Sequence, residues 1–501
     1  YQPSATGQFV TNIFRITENL FKAQQEIASG RRINKPSDDP AGIRDALLLR
    51  TSISQSDQYI RNIDNNRLYI QAGDSALESV GINLIRAKEL AVSELGGLST
   101  SETRAFAANE FDQIISQIFE SANIKIKNQF VFSGTAFRTQ PFEQSASGAV
   151  YLGNTENFQI AVGENTNADF TIPGSSVLGN DLNPQLTSST ELSNLIGGSG
   201  ITAGSFTITD RSGNSGTVTV ASTDTISSLI SKINALGGNV TASINSNGSG
   251  LQLTDGSSVI SQALTVAEVS GGSTALELGI LGQRDGDISG SDLNPTITSA
   301  TLISDLDGGD GLTLNEIGIV NGSASGTVTL SSATTIADVI TLINNSSFNV
   351  TASINSAGNS LLVTSNSSST VAIVKNVGTD ETAENLGLGG GKNVFTTLFK
   401  LRDALNDDDT FAILASLENL DSTLASVNNN RAVVGASLRR VDLTDYVLEQ
   451  NIVDQSQQLS DLEDADIVKS TSDLANLEFA LQATLATTAQ ILQPTLLDFI
   501  R

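Results

Sequence analysis

Cysteine, histidine, methionine and tryptophan are all absent from this chain. Without cysteine no disulfide can form, and without cysteine or histidine the usual zinc sites are excluded. Nucleophile arrangements built on a thiol or an imidazole are excluded too. The side chains that most often carry acid–base or covalent work near neutral pH are therefore missing. The composition points away from an enzyme, and no catalytic, cofactor-binding or metal-ligating residue is expected. Basic charge is scarce: 27 Lys and Arg stand against 54 Asp and Glu, a net charge of −27. Such a chain repels nucleic acid and anionic lipid, so neither nucleic acid nor membrane is an expected partner. No apolar run reaches the ~18 residues needed to cross a bilayer. Residues Tyr1–Gly7 carry neither the basic nor the apolar part of a secretory signal, and the chain does not begin with Met, so natural residues can precede Tyr1.

What is present divides into three parts. A length of 501 residues suggests three or four domains. Residues 1–140 and 393–501 have few glycines and apolar residues at helical spacing, whereas 145–392 are rich in Gly, Ser, Thr, Asn and Val in short alternating runs. The fold class expected is multidomain: an all-α coiled-coil core built from both chain ends, with a β-rich, α+β region inserted between them.

The first stripe is Phe9, Ile13, Ile16, Leu20, Ala23 and Ile27, a seam in steps of four and three that stops at Ser29-Gly30. Asp39 is expected to cap a helix with Pro40 at its first position, running to about 95 and ending at Gly96-Gly97. Ser99 with Glu102 predicts a capping box for a third helix striped by Phe111, Ile115, Ile118, Ala122 and Ile126. The other flank mirrors this. A helix is expected over 394–428, then a turn at Asn428–Asn430, then a long helix carrying Leu438, Val441, Leu448, Ile452, Leu459 and Leu462. An acidic break follows over Glu463–Ser472, then a last helix striped by Leu474, Leu477, Leu481, Leu485, Thr488 and Leu492. A lone 25-residue helix is marginal in water, while burying one large side chain is worth roughly 1.5–3 kcal/mol. These terminal stripes therefore need partners. The assembly interface is assigned to Phe9, Ile13, Ile16, Leu20, Ile27, Leu474, Leu477, Leu481, Leu485 and Leu492.

The middle repeats itself. Asp181-Leu-Asn-Pro184 recurs as Asp292-Leu-Asn-Pro295, Gly216–Val220 as Gly326–Leu330, Thr225-Ile226 as Thr335-Ile336, and Val240–Ser246 as Val350–Ser356, at offsets of 111 or 110. Each unit reads strand, turn, strand, short helix and two more strands, closing on Leu278–Gly282 or Leu386–Gly389. Other constellations weigh little. Asp285, Asp287 and Asp292 lack the glutamate an EF-hand needs, since position 296 is Thr296. Gly387–Lys392 lacks the first glycine of a phosphate loop and reads as a hinge. Arg31, Arg32 and Lys35 form a basic cluster, read either as a solvated turn or as an inter-subunit polar contact to Glu463, Asp464 and Asp466.

Ser29-Gly-Arg-Arg-Ile-Asn-Lys-Pro-Ser-Asp-Asp-Pro-Ala-Gly42 resembles the signature that flagellin-type proteins place between their innermost and next domains. Phe130-Val-Phe-Ser-Gly-Thr135, with Pro141-Phe142, and the tail Ala480–Thr484 through Ile491–Phe499 are similar to the hook–filament junction branch of that superfamily, the hook-associated protein 3 family. The middle repeats resemble hook IN inserts. The resemblance implies an innermost terminal-helix domain (1–29 with 466–501), a long-helix rod with a β-hairpin (30–180 with 393–465), and two inserted repeats (181–286 and 287–392). It implies a structural subunit at the hook–filament junction, exported through the flagellar type III pathway to the extracellular flagellum. The implied partners are other copies of itself, the neighbouring hook-associated protein, flagellin and an export chaperone. A filament flagellin, or a surface adhesin acting through the inserts, is the alternative.

Overall fold

The computed structural model describes residues 3–145, 148–179 and 181–491. Among them run eight helices of nine or more residues: Pro3–Ser29 (α1), Pro40–Glu94 (α2), Ser101–Ala122 (α3), Ile226–Asn234 (α4), Ile336–Asn344 (α5), Val394–Asn406 (α6), Thr410–Glu463 (α7) and Ile467–Ile491 (α8). Helices thus occupy both chain ends and small antiparallel sheets occupy the middle. The chain falls into two compact units, one of Tyr1–Asn65, Ala161–Asn167 and Arg440–Arg501, the other of Asn66–Ile160 and Ala168–Arg439.

In the first unit α1 packs along α8. Helix α2 starts where its capping signal lies, with the Gly42 N–H donating to Asp39 Oδ1 at 2.9 Å. The break before α8 is only Asp464–Asp466, much shorter than the acidic segment suggests, because Lys469 N–H donates to Asp466 Oδ1 and caps the new helix at once.

In the second unit a helical bundle is buried around Leu77, Leu84, Phe111, Ile115, Ile118, Leu398, Leu401 and Ile413. Three local expectations fail here. Ile126 is not on α3, which ends at Ala122; it lies in the short strand Lys125–Ile126. The box at the start of α3 is Thr100 with Thr103, not Ser99 with Glu102: each hydroxyl meets the other residue's backbone N–H, and the Ser99 hydroxyl turns back to Ser93 O. Asn428–Asn430 is no turn but part of α7, where Val427 and Val434 are buried on either side and pin the backbone helical. The reversal comes earlier, at Asp407–Asp409. There Asp408 adopts a left-handed φ of 56° and Asp409 Oδ1 accepts the N–H groups of Phe411 and Ala412.

Two stretches of the β-rich middle share a run of strand pair, short helix and strand pair but differ in strand number. In the first, strands lie in the order Gly282–Arg284, Leu264–Glu268, Gly204–Thr209, Ser215–Val220, beside a second sheet in the order Ile288–Ser289, Leu251–Asp255, Val240–Ile244. In the second, the order is Ala324–Thr329, Glu316–Asn321, Ile373–Lys375, beside the pair Val350–Ile354 and Leu361–Ser365. α4 and α5 open on equivalent capping boxes, Thr225 with Ser228 and Thr335 with Asp338, and each buries three apolar residues over its own core. The cores do not respect the boundary at 286/287. Leu182, at the start of the first segment, lies in the core of the second, and Leu293, at the start of the second, lies in the core of the first.

Candidate assembly surfaces

The terminal helices present two apolar faces each. Ile13, Ile16, Leu20 and Ile27 on α1 and Leu474, Leu477 and Leu481 on α8 are half-buried, Ala23 is buried, and Leu485 at the edge of its stripe is half exposed. The side chains of Phe9 and Ile491, and the residues from Leu492 on, lie outside the described residues. At 100° per residue, Phe14 and Phe21 sit one position round from Ile13 and Leu20. They are 70% and 66% exposed, and Val10 beside them is 50% exposed. On α8, Val468 and Phe479 stand on the side away from the seam, 80% and 74% exposed. The heptad pattern draws attention to the inner seam and passes over this outer face. The signal that could have found it is the Phe14–Phe21 spacing of seven, in register with the seam but displaced by one residue.

The breaks at the inner ends of these helices are hydrogen-bonded to each other. Gly30, at φ 68°, ends α1, and its carbonyl accepts the Ala465 N–H at 2.9 Å. Arg32 N–H donates to Glu463 O at 2.6 Å, its guanidinium donates to Leu462 O at 2.8 Å, and Arg31 bridges Asp464 through the backbone. Two members of the basic cluster thus have partners on the acidic segment of their own chain. Lys35 contributes its backbone N–H to Asp38, whose carboxyl lies below the usual range because it accepts the N–H groups of Lys35 and Asn34. The buried Glu463 carboxylate is neutralised by Arg50, at 2.5 Å, a residue without any local motif to single it out.

The Phe130–Thr135 motif is a packing knot. Phe132 is fully buried, and the Tyr151 hydroxyl donates to Phe132 O at 2.9 Å and to Asn154 O at 2.8 Å. Burial raises the Tyr151 hydroxyl's pKa well above its ordinary value. Thr135 N–H donates to Asn154 Oδ1, and Asn154 returns a bond from Nδ2 to Thr135 Oγ1. Gly134 sits at φ 68°, and a Cβ there would lie 2.1 Å from Asn154 Oδ1. Phe142 completes the knot, its ring 5.1 Å from that of Phe395 on α6, and Phe395 in turn is 4.3 Å from Phe119 on α3. The motif anchors the base of the β region on the bundle.

Three family models match this chain: the bacterial flagellin N-terminal helical region over residues 4–136, the bacterial flagellin C-terminal helical region over 417–500, and the flagellin hook IN motif over 205–257. Flagellin of Halalkalibacterium halodurans is 34% identical over 109 residues, 22% of this chain and 39% of that protein. Flagellin of Listeria monocytogenes is 31% identical over 147 residues, 28% of this chain and 50% of that protein. Flagellar hook-associated protein 3 of Salmonella typhimurium is 27% identical over 144 residues, 28% of this chain and 45% of that protein. Among solved structures, the flagellar hook-associated protein 3 of Legionella pneumophila aligns over 83% of this chain and 98% of its own, with 15% identity and a TM-score of 0.38. The chain spans half or less of the length of these curated relatives. With flagellin's N- and C-terminal helical regions at its two ends and a hook IN motif between them, the chain belongs to the flagellin superfamily.

Proposed function

We propose that this chain is a non-enzymatic structural subunit of the bacterial flagellum, placed at the hook–filament junction and docked head-to-tail into a tubular lattice through its terminal helices. The observation that carries this reading is the pair of outward faces on the terminal helices, one on α1 and one on α8. Val10, Phe14, Phe21, Val468 and Phe479 stand exposed, while the seam residues between the helices are half-buried. Covering them is worth roughly 5–10 kcal/mol per subunit. Outward apolar faces on both helices of a pair suit neighbouring copies, and a heterologous contact repeated by rotation and rise builds a tube. Under this reading the terminal pair is a coiled coil whose seam is Ile13, Ile16, Leu20, Ile27, Leu474, Leu477, Leu481 and Leu485. The assembly interface then extends from that seam to the outward faces, and Arg31 and Arg32 hold the joint beneath it.

The same reading makes 1–29 with 466–501 the innermost domain, 30–180 with 393–465 the rod, and 181–286 and 287–392 tandem inserted repeats. The paired elements and equivalent helix caps of the two inserts support this. Its partners are further copies, the adjacent hook-associated protein, flagellin and an export chaperone, and its location is the extracellular flagellum. The Phe130–Thr135 knot and the similarity to hook-associated protein 3 favour the junction. The flagellins among the curated relatives favour the second reading, a filament subunit. Immunogold labelling of isolated flagella separates them: one band at the hook end supports the junction, and label along the whole filament overturns it in favour of flagellin.

A further inference from the structure

The starts of the two inserted segments are exchanged. Leu182 N–H donates to Asn359 O at 2.8 Å in the second segment, and Leu293 N–H donates to Ser249 O at 2.9 Å in the first. Leu182 O accepts from Asp307 N–H and Leu293 O from Ile196 N–H, while Asn183 O accepts from Gly308 N–H and Asn294 O from Gly197 N–H. Gln185 N–H reaches Asp305 O, and Thr296 N–H reaches Asn194 O. Each of these backbone bonds of one arm thus has a counterpart in the other. Each arm turns at an asparagine in left-handed conformation, Asn183 at φ 40° and Asn294 at φ 42°. Each turn is closed by an aspartate: Asn183 N–H donates to Asp181 Oδ1 at 2.8 Å and Asn294 N–H to Asp292 Oδ1 at 2.7 Å. Asp181 is buried, and its second oxygen, Oδ2, has no hydrogen-bond partner; Asp292 is half-buried.

We propose that the crossed arms form a proton-operated clasp, in which the two inserted segments lock together while Asp181 and Asp292 hold protons and loosen once both carboxyls are ionised. The charged and titratable groups around the pair favour this. Asp181 faces Tyr151, Asp292 and one cation, Lys392; Asp292 faces Glu156 and Asp181; and the turn that receives the first arm carries Asp305 and Asp307. One cation among that many acids leaves the pair under-compensated. Burial raises Asp181 to about 6, against the Asn183 hydrogen bond and Lys392. Burial, with the charges of Glu156 and Asp181, raises Asp292 to about 7. Both lie above the ordinary aspartate value of 3.8, so the closed arms bind more protons than the open ones. The clasp is therefore tightest in acid and weakens as pH rises through the window from 3.8 to about 7.

Hydrogen exchange on the full chain, read by mass spectrometry and corrected for the intrinsic pH dependence of exchange, tests this. Going from about pH 5 to pH 8, protection of peptides covering 181–186 and 292–297 falls at least about tenfold, while the strand Gly204–Thr209 keeps its protection. The variant Asp181→Asn/Asp292→Asn, which keeps a carbonyl acceptor but cannot ionise, shows arms protected equally at both pH values. Equal protection of the wild-type arms at both pH values overturns the proposal, even if the variant fails to fold. A loss shared by every strand, or a variant that keeps the wild-type slope, overturns it as well.

Discussion

Replacing Phe14 and Phe21 together by Gln separates folding from assembly, because the two rings lie on the outer face of α1 and not in its seam. Gln is about as good a helix former as Phe or better, so the helix itself is not penalised. At 70% and 66% exposure the rings contribute little to the isolated chain, and exposed substitutions of this kind change stability by about 0.5 kcal/mol or less. In an assembled lattice the same rings are covered. Two-thirds of a full burial of roughly 1.5–3 kcal/mol, taken twice, is about 2–4 kcal/mol per contact, or from about thirtyfold to several-hundredfold in the association constant. The assay is paired: far-UV circular dichroism and thermal unfolding of the monomer, then the critical concentration for self-association by sedimentation. Unchanged helicity with a critical concentration raised by that factor is the expected result. An unchanged critical concentration refutes the outer face as an assembly surface, and a loss of monomer helicity shows that the rings already pack within the chain.

Removing the Arg50 guanidinium strands the buried Glu463 carboxylate, and Arg50→Ala is expected to cost about 1–3 kcal/mol, short of a fully buried pair because Arg50 is 41% exposed. Arg50→Ala/Glu463→Gln recovers most of this in chemical denaturation. Gly134→Ala forces a Cβ against Asn154 at a left-handed φ and is expected to lower stability by about 3 kcal/mol or more, whereas Gly97→Ala, with open space around it, is neutral; thermal melts of the two variants make the comparison. Lys400 donates to Val363 O at 2.7 Å, and burial pulls its pKa down to about 8. The unfolded chain then binds the extra proton between about 8 and 10.5, so the site's penalty is fully present below pH 8 and fades as pH rises towards 10.5. Lys400→Met is accordingly expected to stabilise by about 1–3 kcal/mol at neutral pH and to lose that advantage near the upper end of the window, as denaturation midpoints across the pH range will report.

Helix positions were legible wherever the signal is local. Gly30 stops α1, Asp39 and Pro40 start α2, and apolar spacing marks the buried stripe of α3 from Phe111 to Ala122, because backbone geometry and capping act over a few residues. Where two local signals compete, packing decides. Ser99 and Thr100 are both capping residues, and the Ser93 carbonyl takes the Ser99 hydroxyl, leaving Thr100 to make the box. Asn428–Asn430 carries turn chemistry, yet Val427 and Val434 are buried and hold the helix through it. The knot at Phe130–Thr135 was visible as a motif but not as a structure. Its meaning depends on Tyr151, Asn154 and Phe395, which arrive from other parts of the chain.

By itself the sequence determined that the ends are helical, that the middle is β-rich, that chemistry dependent on thiol or imidazole is absent, and that each terminal helix has an apolar stripe in need of cover. All of these follow from composition and from periods of two to seven residues, which the chain carries wherever it goes. Tertiary structure decided which apolar face is covered and which is left outward, which arginine neutralises Glu463, and which core each Asp-Leu-Asn-Pro arm enters. Those outcomes join residues from 44 to 413 positions apart, and nothing in local spacing favours one such partner over another. Only burial in a common core, where an unpaired charge or an unfilled hole is costly, selects among them.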